Sequence, residues 1–361
     1  MDLYYKKNLI YGGVVIKSLF ETTKISNMEL KNRFICSAIW EGLADDDGHV
    51  TSELIQHYHE LAEGGVGTII TGFSNVMDFD KPTHNMNGIY DDVFINEYRE
   101  LVGNVHEHNV NIIMQIVHGG TKWGPSAVKH KTTDTTPKEM TTDDINTVIE
   151  AFKSAALRVK KAGFDGVQLH AAHGFLLSMF LNPSYNIRRD EYGGSIENRA
   201  KIIFETYEAV REAVGPDFPV LIKVNCEDFM DKGLTFEDSL YVCKTLSDMG
   251  IDLIEVSGGS YSSRKGEGPM RETENNESYF KDHATKIADE VNVPVALVGG
   301  NRRIEKMTEI LNSTHIDYFS IARPFIREPD LINRWMAEDL DSTECVSCEG
   351  CNGISRGCIY K

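Results

Sequence analysis

Short apolar runs and helix-period stripes alternate along the chain. Arg33 to Ser37 reads as a first strand, followed by a helix from Ser52 to Glu63 with Leu54, Ile55, Tyr58, Leu61 and Ala62 on one face. Gly64 and Gly65 stop that helix, and Gly67 to Thr71 is a second strand ending at Gly72. A helix around Val93 to His108 leads into a third strand, Asn111 to Ile116, with Gln115 near its end. Ile145, Val148, Ile149, Phe152, Ala155, Ala156 and Val159 recur at helical spacing before a buried fourth strand, Val167 to Leu169, which ends on His170. The same rhythm then gives a helix from Ile196 to Val214, a strand from Val220 to Val224 containing Lys223, a helix from Phe236 to Met249, and a strand from Leu253 to Val256. Val293 to Val298 and Ile316 to Ile321 are the last two strands, before a helix from Asp330 to Glu338.

Eight alternations of strand and helix predict an α/β fold, a TIM (β/α)8 barrel, over residues 31–340. Residues 1–30 read as an N-terminal arm, with a hairpin turning at Asn27 and Met28 that closes the bottom of the barrel. Residues 341–361 form a Cys-rich tail. The long connections Met77 to Asn87, Val117 to Thr141 and Ser257 to Ser278 follow strands, which places them at the catalytic mouth of such a barrel.

Charge narrows the partners. A net charge of −18 opposes nonspecific binding to nucleic acid or anionic lipid, and no run approaches the length of a membrane span. The partner expected is therefore a small-molecule substrate, and a homo-oligomer is compatible with the composition. The N-terminus lacks the apolar stretch of a signal peptide, and four of the seven cysteines crowd into the last 17 residues, so a reducing, cytoplasmic setting is expected.

Two stretches suggest chemistry directly. His170 and His173 lie at the carboxyl end of a buried strand, where α/β enzymes place reacting groups. Gly299-Gly300 and Ala322-Arg323 end the last two strands, the usual phosphate-binding position of these barrels.

The motif H-x-A-H-G at His170, followed by N-x-R-x-D-x-Y-G-G-S-x-E-N-R from Asn186 to Arg199, resembles the Old Yellow Enzyme family of FMN-dependent ene-reductases. The resemblance runs from Leu19 to about Glu338 and includes S-A-I-W-E-G after the first strand. It implies FMN as cofactor, NAD(P)H as reductant, and hydride delivery to an activated, enone-like alkene. It further implies that Ser37, Ala38, Ile39 and Gly72 present backbone to the isoalloxazine. Gln115 is implied to bond the flavin's pyrimidine edge, and Lys223 to stabilise the reduced flavin where many relatives have arginine. His170 and His173 are implied to hold the substrate's carbonyl oxygen, while Gly299, Gly300, Ala322 and Arg323 hold the phosphate. Asn186, Arg188, Asp190, Tyr192 and Arg199 read mainly as a brace for the loop after strand four.

Departures from the family's pattern lie on the substrate side. Phe175 stands where the usual proton donor is a tyrosine, and a phenyl ring has no proton to give. Ile39 and Trp40 stand where many relatives place threonine or cysteine beside the flavin. A related barrel chemistry, dehydrogenation or N-demethylation of an amine, stays open. An RNA-modifying flavoprotein similar to dihydrouridine synthase would need a basic face, which the net charge opposes. In the tail, Cys345, Cys348, Cys351 and Cys358 resemble the four-cysteine motif of larger relatives such as 2,4-dienoyl-CoA reductase and trimethylamine dehydrogenase, though with tighter spacing. They are expected either to hold a [4Fe–4S] cluster or zinc, or to form a metal-free tail.

Overall fold

A computed structural model of the chain describes residues 9–11, 14–130, 134–268, 277–348, 350–351 and 357–360. Parts of the predicted arm, of the loops Val117 to Thr141 and Ser257 to Ser278, and of the tail lie outside the described residues.

Eight parallel strands form the centre: β1 Phe34–Cys36, β2 Thr68–Ile70, β3 Asn111–Val117, β4 Gly166–Ala171, β5 Val220–Asn225, β6 Leu253–Ser257, β7 Val295–Leu297 and β8 Tyr318–Ile321. Each pairs with the next, and β8 pairs with β1 through Ser320 opposite Ile35, which closes a barrel. The fourth strand runs through Ala171, so His170 sits within the ladder rather than beyond its end. Strand β7 is short, with Pro294 at its entrance and the Gly299-Gly300 turn just past its exit.

Alternation along each strand assigns the two faces. On β4, Val167, Leu169 and Ala171 join the outer core between strands and helices. Ile35, Ile70, Ile113, Leu221, Leu253, Ala296 and Tyr318 form a separate inner core. Ile25, Met28 and Leu30 plug it from below. These come from the antiparallel hairpin Thr23–Ile25 and Met28–Leu30. Its turn falls at Ser26 and Asn27, one residue earlier than expected, with Ser26 in the left-handed region that a tight turn requires.

Helices α1 Ser52–Glu63, α2 Phe94–His106, α3 Thr142–Ala162, α4 Leu176–Leu181, α5 Ile196–Val214, α6 Phe236–Met249, α7 Lys281–Ala288, α8 Ile304–Ser313, α9 Arg323–Arg327 and α10 Leu331–Met336 surround the strands. Local rules fix their ends. Thr141 and Asp144 exchange side chain-to-backbone bonds of 3.1 and 2.9 Å at the start of α3. Gly163 ends that helix in the left-handed region.

The polar run after β4 is a brace. Asn186 donates to the carbonyls of Phe180 and Tyr192, each at 2.7 Å. Arg188 pairs with Asp190 and donates to Pro125 and Met140 carbonyls across the loop after β3. Arg199 bonds the Leu181 carbonyl and, at 2.7 Å, Asp238. Tyr192 donates to Glu205 at 2.9 Å. None of the five lines the cavity described next.

Candidate functional site

The same alternation that fills the bottom of the barrel with isoleucine and leucine turns polar at its carboxyl end. Gln115, Gln168, His170, Lys223, Glu255, Ser257 and Ser320 are buried. Register sets Gln115 beside Gln168, His170 beside Lys223, and Lys223 beside Glu255. Above them opens a cavity of about 410 Å³.

Ser37, Ala38, Ile39, Trp40, Gln115, His170, His173, Phe175, Lys223, Gly299, Gly300, Ala322 and Arg323 all line this cavity, so the sequence-predicted cofactor and substrate residues converge on one place. Gly72 is the exception. It lies behind the wall, where its amide donates to Glu41 and to the Tyr58 hydroxyl, each at 2.9 Å. A side chain at Gly72 would collide with the Glu41 carboxylate and the Ile39 carbonyl. Its missing Cβ thus serves close packing behind the site, and the next residue, Phe73, lines the cavity instead.

The floor is one connected network. Ser37 donates to Glu255 Oε1 at 2.7 Å, and Lys223 Nζ donates to Ser37 Oγ at 2.9 Å and lies 3.3 Å from Glu255 Oε2. Gln168 Nε2 donates to Glu255 Oε2 at 2.8 Å, and Gln115 Nε2 donates to Gln168 Oε1 at 2.7 Å. Lys223 is therefore both a lining cation and one half of a buried ion pair.

On the adjoining wall, the rings of His170 and His173 stand perpendicular with centroids 5.3 Å apart. The Ala172 amide donates to His170 Nδ1 at 3.3 Å, which leaves the proton of the neutral ring on Nε2. His173 Nε2 and the Ser257 hydroxyl are 2.8 Å apart, and the His173 amide donates to Asn225. Burial, each other's proximity and Lys223 hold His170 well below the usual imidazole range, and burial with Lys223 pushes His173 down to about 3. Both are neutral at pH 7. Phe175 caps His170 and packs on Phe73, with centroids 5.1 Å apart.

The far end is cationic and partly roofed by the tail. Gly299 has φ 104°, and a Cβ there would meet the rings of Tyr279 and Phe280 at 2.6 and 2.8 Å. Asn301 fixes the turn by donating to the Leu297 and Ser320 carbonyls. Arg302 and Arg323 line this end, and Arg302 donates to the Cys345 carbonyl at 2.5 Å and to Ser347 Oγ. Ser347 and Cys351 consequently join the lining. The four tail cysteines face one adjoining hollow of about 420 Å³. They are not drawn into a ligand set: among the described residues, no three His, Cys, Asp or Glu side chains are grouped to hold a metal ion. The tail is pinned by arginines instead, with Arg327 on Glu344 at 3.0 Å as well as Arg302 on the backbone.

The lining suits FMN. Gln115 Oε1, Ser320 Oγ, Trp40 Nε1 and Thr83 Oγ1 belong to lining residues and are buried without partners. Each such atom costs about 1–3 kcal/mol until a ligand satisfies it. An acceptor at Gln115 beside a cation at Lys223 complements an imide edge, in which an N–H sits between two carbonyls. Two arginines at the opposite end suit a phosphate.

Several lining residues were not anticipated: His130, which stacks on Tyr185, and Thr83, Ser257, Tyr279 and the tail's Ser347. Ser257 had a legible signal, being the inward residue two after Glu255 on the same strand. The others come from loops, whose paths the pattern of apolar residues does not dictate.

Comparison with known proteins agrees with this geometry. The profile of the NADH:flavin oxidoreductase / NADH oxidase family matches residues 18–341. An NADPH dehydrogenase of Geobacillus thermodenitrificans is 35% identical over 319 residues, covering 86% of this chain and 91% of that protein. An NADH oxidase of Thermoanaerobacter brockii is 32% identical over 357 residues, covering 95% of this chain but 53% of its own length, so the chain spans about half of that relative. Among solved structures, an Old Yellow Enzyme homologue from Zymomonas mobilis superposes with a TM-score of 0.77 at 23% identity, over 92% of this chain and 96% of its own. That likeness shows the shared barrel.

Proposed function

The chain belongs to the NADH:flavin oxidoreductase / NADH oxidase family, the Old Yellow Enzyme family, and from that premise we propose that it uses FMN to reduce an activated alkene at the expense of NAD(P)H. Bound FMN would supply the hydride chemistry, taking hydride from the nicotinamide and passing it on. The observation that carries the proposal is the shared cavity: the neutral His170–His173 pair and the Gln115–Lys223–Ser37 floor line a single space.

The residues divide the work. Lys223 and the Gln115 carbonyl oxygen receive the pyrimidine edge, and the Lys223 ammonium opposes negative charge gathered there on reduction. Arg302 and Arg323 hold the phosphate. His170, through Nε2–H, and His173 donate hydrogen bonds to the substrate's carbonyl oxygen. Their polarisation makes the β-carbon electrophilic and stabilises the enolate that follows. As neutral donors they do this without surrendering a proton. Phe73 and Phe175 pack against His170, and with Trp40 they give the cavity an apolar lining that disfavours water there. The free thiols of all seven cysteines fit a reducing, cytoplasmic setting.

Mixing reduced, FMN-loaded protein with an enone, and oxidised, FMN-loaded protein with a methylated amine, tests the proposal. Reoxidation by the enone with formation of the saturated ketone is expected. Activity confined to the amine, which would reduce rather than oxidise the flavin, would replace alkene reduction with amine oxidation.

A further inference from the structure

Glu255 has no measurable exposure, and it does not line the cavity. It nevertheless touches three chains of contact that do. An ionised carboxylate can only accept hydrogen bonds. Ser37 must therefore spend its hydroxyl proton on Oε1, which leaves its oxygen to accept from Lys223. Gln168 must aim its NH2 at Oε2, which turns its own carbonyl toward Gln115. Gln115 must then give its NH2 to Gln168, and its carbonyl oxygen is the atom left over for the cavity. One buried charge thus fixes the direction of every hydrogen bond on the floor.

We propose that Glu255 is a positioning residue that sets both the polarity and the charge of the cofactor floor: through Gln168 it presents Gln115 as an acceptor, and through its ion pair it moderates the positive charge of Lys223. This rests on the FMN reading above. The acceptor suits the imide N–H of oxidised and reduced flavin alike, so it bears on affinity. The moderated cation bears on the difference between the two redox forms, because reduction places negative charge on the ring and an uncompensated Lys223 would favour it more strongly.

Two variants separate the parts. Glu255→Gln keeps the shape and removes the charge, leaving Lys223 to face the flavin alone. The two-electron midpoint potential of the bound flavin is expected to rise, by about 30 mV for each tenfold gain in preference for the reduced form. Gln168→Leu keeps the Lys223–Glu255 pair and cuts the relay to Gln115. FMN affinity is expected to fall at least tenfold, with the potential unchanged, because both redox forms lose the same contact. Thermal unfolding of each apoprotein establishes that it is folded, and FMN titration with spectroelectrochemistry supplies both readouts without turnover. A potential that is unchanged or lower in Glu255→Gln, or an undiminished affinity in Gln168→Leu, would overturn the proposal. Failure of the wild-type protein to bind FMN would instead remove the reading on which it rests.

Discussion

The ring of Phe175 lies edge-on to that of His170, with centroids 4.6 Å apart and planes 63° apart. The family resemblance places a proton-donating tyrosine at this position, and here the contact is purely apolar. If an alkene is reduced, protonation at its α-carbon proceeds without a hydroxyl from residue 175. General acids contribute about 10²–10⁴-fold, so Phe175→Tyr is expected to speed enone turnover roughly tenfold or more. Quinone reduction, which needs no protonation at carbon, should barely change. Stopped-flow measurement of both acceptors with both variants checks this.

The barrel was legible because parallel strands buried on both faces write short apolar runs, and amphipathic helices separate them. Helix α8 was readable too, since Ile304, Met307, Ile310 and Leu311 recur at helical spacing, although no helix was predicted there. Short strands such as β7 were overdrawn at their ends, where Val293 and Val298 continue the apolar pattern beyond the paired residues. At the site, the family motif located the histidines, while Gln168 and Glu255 went unread. A polar residue in a buried strand signals the inward face, but its partner lies on another strand and no spacing within the run reveals it. The return of the tail onto Arg302 had no sequence signal at all.

Replacing both His170 and His173 with alanine should leave FMN binding and its reduction by NAD(P)H intact. The oxidative half-reaction should slow by about 10²–10³-fold, the loss typical of oxyanion-stabilising donors. Because burial keeps both rings neutral, this half-reaction in the wild type should show no inflection near pH 6.5, the ordinary imidazole range. Single-turnover rates between about pH 5.5 and 7.5, roughly one unit on either side of that value, test the point.

Lys223→Met should cost stability as well as function. It leaves Glu255 buried with Ser37 and Gln168 as its remaining partners among the described residues, and breaking one side of a buried pair typically costs about 3–5 kcal/mol. The double variant Lys223→Met/Glu255→Gln should recover part of that loss in chemical denaturation, though not the potential of the bound flavin.

Glu41 links the wall to pH. Burial pushes its carboxyl up to about 7, against the pull of hydrogen bonds from its own amide and that of Gly72. A carboxyl raised in this way binds more protons folded than unfolded, so its contribution is present at low pH and lost as pH rises from the ordinary glutamate range through about 7. Glu41→Gln retains an oxygen for the Gly72 amide. Relative to wild type, it should gain about 2 kcal/mol between pH 5 and pH 8. Urea denaturation at the two pH values measures the difference.

Titration of the apoprotein with FMN, followed by anaerobic addition of NADH or NADPH and then an enone, shows whether this cavity holds FMN and passes its electrons on. One FMN should bind per chain, its oxidised absorbance should bleach with a nicotinamide, and the enone should restore it. A chain that binds no FMN, or a bound flavin that neither nicotinamide bleaches, would rule this function out.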